Sequence, residues 1–470
     1  MDKAKIVRKL IFSCRLQTLA PLRIGSGMDD GLTDILILKN KQGNPFIPGT
    51  SLAGVLRGEI AAVYGEAAAA KMFGSLEGED VNQSLLSISD VVLDAADIIV
   101  RDGVAIDPVL GVGIAGAKFD FEALERGALG DLLMELTLRQ QDLDWPADGF
   151  KYTHDRFAAA GDCYGDMAAT LADLLSGGIN VGSMTAKGYG RLAGKEAVAY
   201  YDFDFRQPQA AEQWLTYLAT GKLAKAAYVG SGENALAEQN FYLQADCALQ
   251  GALLIRNDDL TAEQEAANIS AVQLKSGKDY VIPGTSWKGV LRSRAHKILL
   301  ALTGHDAGRA KAFLDDCFGF SAQGTEVQGK RSRLSVEESY ISSSDLKAMV
   351  HSRNRIDRFT GGTVDSALFT DEPVWRQERE QPVITLKLCV KNCREAEAGL
   401  LLLFLKDLWL GNVNIGSGKG IGRGVLRCRH CRIDYRGGSY TLDEQKGFTV
   451  KGDKNALEGY VQALAGELNE

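Results

Sequence analysis

Proline and histidine are scarce in this chain: nine and five in 470 residues. So few prolines exclude a long polyproline-type architecture. So few histidines leave little material for His-based catalysis. A surplus of positive charge is missing too, since 53 Lys and Arg face 61 Asp and Glu for a net charge of −8. Non-specific affinity for nucleic acid comes from Lys and Arg neutralising phosphates. The balance therefore counts against a general polyanion binder, though not against a local basic stripe. No stretch approaches the roughly 18 apolar residues of a membrane span, and the longest run covers only residues 400–405. Lys3, Lys5, Arg8 and Lys9 precede only a short apolar run, so no secretory leader is legible. The expectation is a soluble, cytoplasmic protein without a membrane partner.

What is present is ordinary for a globular protein, with 45% hydrophobic and 24% charged residues. The length suggests roughly two to four domains. Eight cysteines do not suggest a disulfide framework. Cys389-x3-Cys393 and Cys428-x2-Cys431 resemble a zinc spacing. Cys428 and Cys431, however, stand three apart on an alternating segment, and a strand sends such residues to opposite faces. Buried thiols are the expectation, and zinc the alternative.

The chain repeats itself. Ile47-Pro48-Gly49-Thr50-Ser51-Leu52-Ala53-Gly54-Val55-Leu56-Arg57 returns as Ile282-Pro283-Gly284-Thr285-Ser286-Trp287-Lys288-Gly289-Val290-Leu291-Arg292, at an offset of 235. A repeat of that length means two copies of one domain. A second match at an offset of 250 pairs residues 105–122 with 355–372, including Ile106/Ile356, Asp107/Asp357, Gly111/Gly361, Phe119/Phe369 and Glu122/Glu372.

Each half opens with a strand pattern, 6–23 and 241–256, then a short strand, 35–38 and 271–274. The Ile-Pro-Gly-Thr-Ser turn follows and opens a helix, with Thr50/Ser51 and Thr285/Ser286 read as N-caps. A strand (130–138; 383–391), a helix (166–175; 395–410), a glycine-rich loop (180–191; 414–423) and a last strand (192–205; 425–435) complete each half. This order predicts an α+β protein of two tandem ferredoxin-like units. The expected boundaries are 1–205, a linker 206–239, 240–436, and a peripheral tail 437–470.

The glycine loops fail two familiar patterns. Gly418-Lys419 is followed by Gly420, and Val413 stands five before Gly418, so no P-loop is present. The loops follow a helix and precede a strand, the reverse of a dinucleotide fingerprint. Glycine still lets a backbone approach a ligand. Lys187/Arg191 and Lys419/Arg423 add charge at matched places, which suits a phosphate backbone.

The turn and the glycine loop together resemble the RAMP superfamily of CRISPR RNA-binding proteins. The carrying residues are Leu22-Arg-Ile-Gly-Ser-Gly27, the two Ile-Pro-Gly-Thr-Ser turns, the two glycine loops, and Arg353-Asn-Arg355-Ile-Asp357-Arg358 with Gly361-Gly362. Two such domains in one chain look like the fused backbone subunits of type III-D effector complexes. The resemblance implies a prokaryotic antiviral ribonucleoprotein. Its partners would be a CRISPR guide RNA, a complementary target RNA, other RAMP backbone subunits and the large subunit of a type III complex. RNA-contacting candidates are Ser51, Arg57, Lys187, Arg191, Ser286, Lys288, Arg292, Arg331, Arg333, Arg353, Arg355, Lys419 and Arg423. Thumb hairpins would come from insertions at about 77–118 and 322–368.

Catalytic members cut target RNA with an aspartate shortly before the Ile-Pro-Gly turn. Here that position is Asp34, with Asp29 and Asp30 as competitors. The implied cofactor is a divalent cation, Mg2+ being the expected one, with Asp34 its candidate ligand. Aligning Leu274 with Leu38 puts Ser270 opposite Asp34, and Gly251-Ala-Leu appears where the first half has Gly25-Ser-Gly27. The second half is thus expected to bind without cutting. The alternatives are a purely structural RNA scaffold and a metal-independent guide-processing endoribonuclease using one of His154, His296, His305, His351 or His430. A metabolic α+β enzyme, with the paired motifs as packing devices, is the third.

Overall fold

A computed structural model gives the fold. It describes every residue except 1–2, 28–32, 34, 76–81, 95–96, 108–111, 147–148, 224, 233–238, 322–327, 378–382, 445–448 and 470. The chain divides into two compact units. One holds residues 1–101, 120–185 and 189–236; the other holds 102–119, 186–188 and 237–470. Among the described residues, no helix is long and apolar enough to cross a membrane.

In the first unit the sheet runs Tyr228–Val229, Ala199–Asp204, Ile6–Thr18, Leu129–Arg139, Leu86–Ile88. The last four are strands four, one, three and two of a ferredoxin-like unit, all antiparallel. Helices Gly49–Tyr64 and Cys163–Gly177 supply the two crossovers. Leu52, Leu56 and Ile60, spaced along one face of the former, are fully buried against Leu10, Phe12 and Leu16. Each such side chain contributes about 1.5–3 kcal/mol.

The second unit repeats the order: Leu334–Val336, Val383–Val390, Phe241–Leu249, Val425–Tyr435. Its helices are Gly284–Leu302 and Glu395–Trp409. Each half also carries an antiparallel hairpin: Ile98–Ile106 with Gly113–Leu124, and His351–Ile356 with Thr363–Glu372.

Several expectations are corrected. The opening strands stop at Thr18 and Leu249, where the chain turns into short pieces. The first half's last strand is broken into Arg191–Gly194 and Ala199–Asp204. The stretch read as a linker joins the first unit: helix Pro208–Thr220 seats Trp214 edge-on against Phe203 at 5.2 Å, and Tyr228–Val229 extends the sheet. The tail is not peripheral. Strands Gly438–Asp443 and Thr449–Lys451 widen the second sheet, and helix Lys454–Asn469 buries Leu464 and Leu468. A Cβ at Gly399 would stand 2.2 Å from the Tyr460 carbonyl, so that helix packs backbone to backbone.

Cys428 and Cys431 do not face opposite ways. The register slips between Asp246↔His430 and Cys247↔Cys428, leaving Arg429 as an extra residue. This bulge resets the alternation, and both thiols are fully buried. No group of three or more His, Cys, Asp or Glu able to hold a metal occurs among the described residues.

Candidate nucleic-acid interface

The glycine loops are the best-duplicated feature. Val181 N–H donates to the Gly190 carbonyl at 2.8 Å, and Ile415 N–H to that of Gly424 at 2.8 Å. Gly190 and Gly424 sit at φ +78° and +71°. A Cβ there would lie 1.9 Å from the Val181 oxygen and 1.8 Å from the Ile415 oxygen, so only glycine closes the loop. The other end docks on the stretch that follows the opening strand. Ser183 N–H donates to the Arg23 carbonyl at 2.8 Å, and Ser417 N–H to that of Leu254 at 2.7 Å.

The backbone is duplicated but the cations are not. Counting from these shared glycines puts Arg191 opposite Val425 and Arg423 opposite Tyr189. Each loop makes a short 3-10 turn, Thr185–Lys187 and Lys419–Ile421. Lys187 ends the one and Lys419 begins the other.

The Ile-Pro-Gly-Thr-Ser turns open their helices two to three residues earlier than expected. Pro48 and Pro283 are the N-caps, with no side-chain cap bond from Thr50, Ser51, Thr285 or Ser286. Glycine is required at the next position, because a Cβ at Gly49 would meet the Ile88 oxygen at 2.3 Å and one at Gly284 the Val336 oxygen at 2.8 Å. In the first unit Asp90 accepts the Gly49 N–H at 2.8 Å, so the helix terminus already holds a carboxylate. Ser51 and Ser286 lie half-buried in the first turn.

Many of the candidate cations are committed to the fold. Arg57 pairs with Glu66. Arg292 binds Asp315 at 2.6 Å and the Gly319 carbonyl at 2.8 Å. Arg333 bridges Asp316 and Glu397. Arg353 and Arg423 both pair with Asp371, and Arg423 is only 3% exposed. Lys288 donates to Ser332 Oγ at 2.6 Å and the Leu334 carbonyl at 3.1 Å. Burial, then the charge of Lys187 in the same unit, pushes its pKa down to about 7. Arg191 is half-buried, whereas Lys187, Arg331, Arg355 and Lys419 face solvent.

Asp29, Asp30 and Asp34 lie outside the described residues, as do parts of both expected thumb segments. The frame around them is described. Leu38 N–H donates to the Ile24 carbonyl at 2.8 Å, and Leu274 N–H to that of Ile255 at 2.9 Å. Leu274 thus matches Leu38, and the count places Ser270 opposite Asp34. Ile35 bridges Phe121 in parallel, as Ala271 bridges Asp371. The same frame puts Arg256-Asn257, not Gly251-Ala-Leu, opposite Gly25-Ser26.

Sequence reading missed what flanks these positions. In the second half, Ser270 Oγ donates to Asp371 Oδ1 at 3.2 Å, within the Arg353–Asp371–Arg423 cluster. In the first half, Phe121 stands at the place of Asp371 and Tyr189 at that of Arg423, their rings edge-on at 5.7 Å. The Arg23 guanidinium lies 4.6 Å over Phe121. The offset-250 match already sets Phe121 against Asp371, one column before its end at Glu122/Glu372.

The sequence pattern of the RAMP superfamily matches residues 15–193 and again 226–427. The chain belongs to the RAMP superfamily. The double match falls on the two ferredoxin-like units and supports a CRISPR-associated RNA-binding role for this RAMP protein. The superfamily includes ribonucleases. No curated protein matches the chain at a significant level.

Proposed function

We propose that this RAMP protein is a guide-RNA-binding backbone subunit of a type III CRISPR interference complex, of the fused III-D kind. It cuts the complementary target RNA with its first half and only binds with its second. The observation that carries this is the duplicated loop frame: two glycine loops with the same closing bonds, each docked on the stretch that follows its half's opening strand. Exposed Lys187 and Lys419 sit on those loops, where cations neutralise phosphate. The second hairpin supports a thumb role, for its tip exposes Arg355, Arg358 and a Phe359 that is 99% accessible, a cation-and-ring set suited to nucleic acid.

In the proposed cut, Asp34 positions the target's 2′-hydroxyl in line with the adjacent phosphorus. The new O–P bond forms as the bond to the 5′-oxygen breaks; the 2′-hydroxyl gives up its proton to solvent and the leaving 5′-oxygen takes one from solvent, leaving a 2′,3′-cyclic phosphate and a 5′-hydroxyl. Mg2+ held by Asp34 would neutralise phosphoryl charge when bound. No three-ligand set for such an ion occurs among the described residues. Asp34→Ala in the assembled complex should abolish the cut opposite the first half while leaving RNA binding intact. Undiminished cutting would overturn the Asp34 assignment and turn the test to Asp29 and Asp30, whereas a wild-type complex that binds target without cutting opposite the first half would leave the purely structural scaffold as the reading. A His-based guide-processing role finds less support, because both ring nitrogens of His154 are already bound, to Asp166 at 2.6 Å and Asp173 at 2.9 Å.

A further inference from the structure

Among the described residues, Arg23 is a buried cation without a counter-ion. It is 8% exposed, its Nε is sealed from solvent without a hydrogen-bond partner, and no described carboxylate pairs with it. What it has is the face of Phe121, 4.6 Å away. Burial pushes its pKa down, the sign of a charge held where charge is disfavoured. A ring face offsets only part of a lost hydration shell. Elsewhere the chain supplies partners: Arg8 has Asp162 and Asp202, and Arg333 has Asp316 and Glu397. At the matching place in the second half stands Leu254, whose carbonyl accepts the same loop N–H. The fold therefore does not need a cation here.

The surroundings name the missing anion. The Arg23 carbonyl anchors the first glycine loop through Ser183, and Phe121 is bridged to Ile35, the residue after Asp34. A residue held between those two segments meets whatever the first half binds. We propose that Arg23 is a phosphate-binding residue that holds one RNA phosphodiester in the first half and completes its charge pair only when RNA is present. This rests on the RNA-binding reading above and adds a residue and an asymmetry to it. The shared chemistry is a phosphodiester, supplied by guide or by target.

The test uses the full chain with Arg23→Leu and Arg23→Lys. Dissociation constants are measured against salt in two arms: a single-stranded RNA of guide sequence on RNA-free protein, and target RNA on guide-loaded protein. Loss of one phosphate contact lowers the slope of log K against log salt by about 0.7. The expected result is that drop in one arm for Arg23→Leu, with Arg23→Lys close to wild type and the RNA-free protein no less heat-stable than wild type. The arm that changes identifies the strand. Unchanged slopes in both arms with wild-type binding intact would overturn this inference alone. A lowered melting temperature with unchanged slopes would make Arg23 a packing residue and overturn it too. A wild-type chain that retains neither RNA would overturn the broader reading, and this one with it.

Discussion

Arg423 donates a hydrogen bond to Asp371 across 2.9 Å, and both side chains are almost wholly sealed, 4% and 7% exposed. Arg353 pairs with the same carboxylate, and His351 Nδ1 lies 3.0 Å from Arg423. Asp371→Ala would leave Arg423 charged and buried, which destabilises by about 3–5 kcal/mol. Arg423→Tyr with Asp371→Phe, the residues of the first half, should recover most of that loss in urea unfolding. Burial is outweighed by the two arginines, so the Asp371 pKa lies below 3.8. Its contribution is present above that value and fades as pH falls through the lower folded one.

His154 is gripped by Asp166 and Asp173, with Tyr64 and Tyr228 bonded to the same two acids. The hydrogen bond to Asp166, then that to Asp173, pushes its pKa up from 6.5 to about 9. The contribution is therefore full below 6.5 and lost as pH rises through about 9. His154→Ala should lower stability by about 3 kcal/mol at neutral pH. It should also flatten the alkaline limb of a melting-temperature profile. An unchanged limb would contradict the assignment.

Lys288 titrates the opposite way. With its pKa pushed down to about 7 from 10.5, the unfolded chain binds more protons between those values, so stability should rise with pH across that window. A phosphate near Lys288 would pull the pKa back up. Guide-RNA affinity should accordingly weaken as pH climbs through 7, with proton uptake on binding visible by calorimetry in buffers of different ionisation heat. Lys288→Met should remove both effects.

Glycines separate structural from ligand-facing positions. Gly424→Ala forces a Cβ to 1.8 Å from the Ile415 oxygen at φ +71° and should destabilise by about 3 kcal/mol or more. Gly54 and Gly289 occupy the same turn of the two repeated helices, exposed and with nothing within 4 Å of where a methyl group would stand. Alanine at each should stabilise the free protein by about 0.5–1 kcal/mol. If RNA approaches these helices closely, the same changes should weaken guide binding. Gain in both stability and affinity would argue that no backbone contact forms there.

The order of the units was legible in the sequence because both repeats mark backbone requirements: glycines that nothing else can replace, and a strand register that Leu38 and Leu274 share. Side-chain commitment was not legible. Matching Arg191 to Arg423 by their following a Gly-x-Gly misplaced both, since the loop closes on Gly190 and Gly424, not on the arginines. Cys428 and Cys431 were sent to opposite faces because a one-residue bulge leaves no mark in composition. The N-caps slipped because proline sets the entry angle in both turns, and in the first unit Asp90, distant in sequence, accepts the Gly49 N–H. The second unit's tail read as peripheral because Leu464 and Leu468 look like any weakly amphipathic helix until Gly399 is found beneath Tyr460.

The central claim is that the duplicated frame grips a guide RNA. Its most direct test is to co-express the full chain with a CRISPR array, purify it, and measure the 260/280 nm absorbance ratio followed by sequencing of whatever RNA is retained. The expected result is stoichiometric RNA carrying repeat-derived and spacer sequence. Protein recovered free of nucleic acid, or carrying only random cellular RNA, would contradict it.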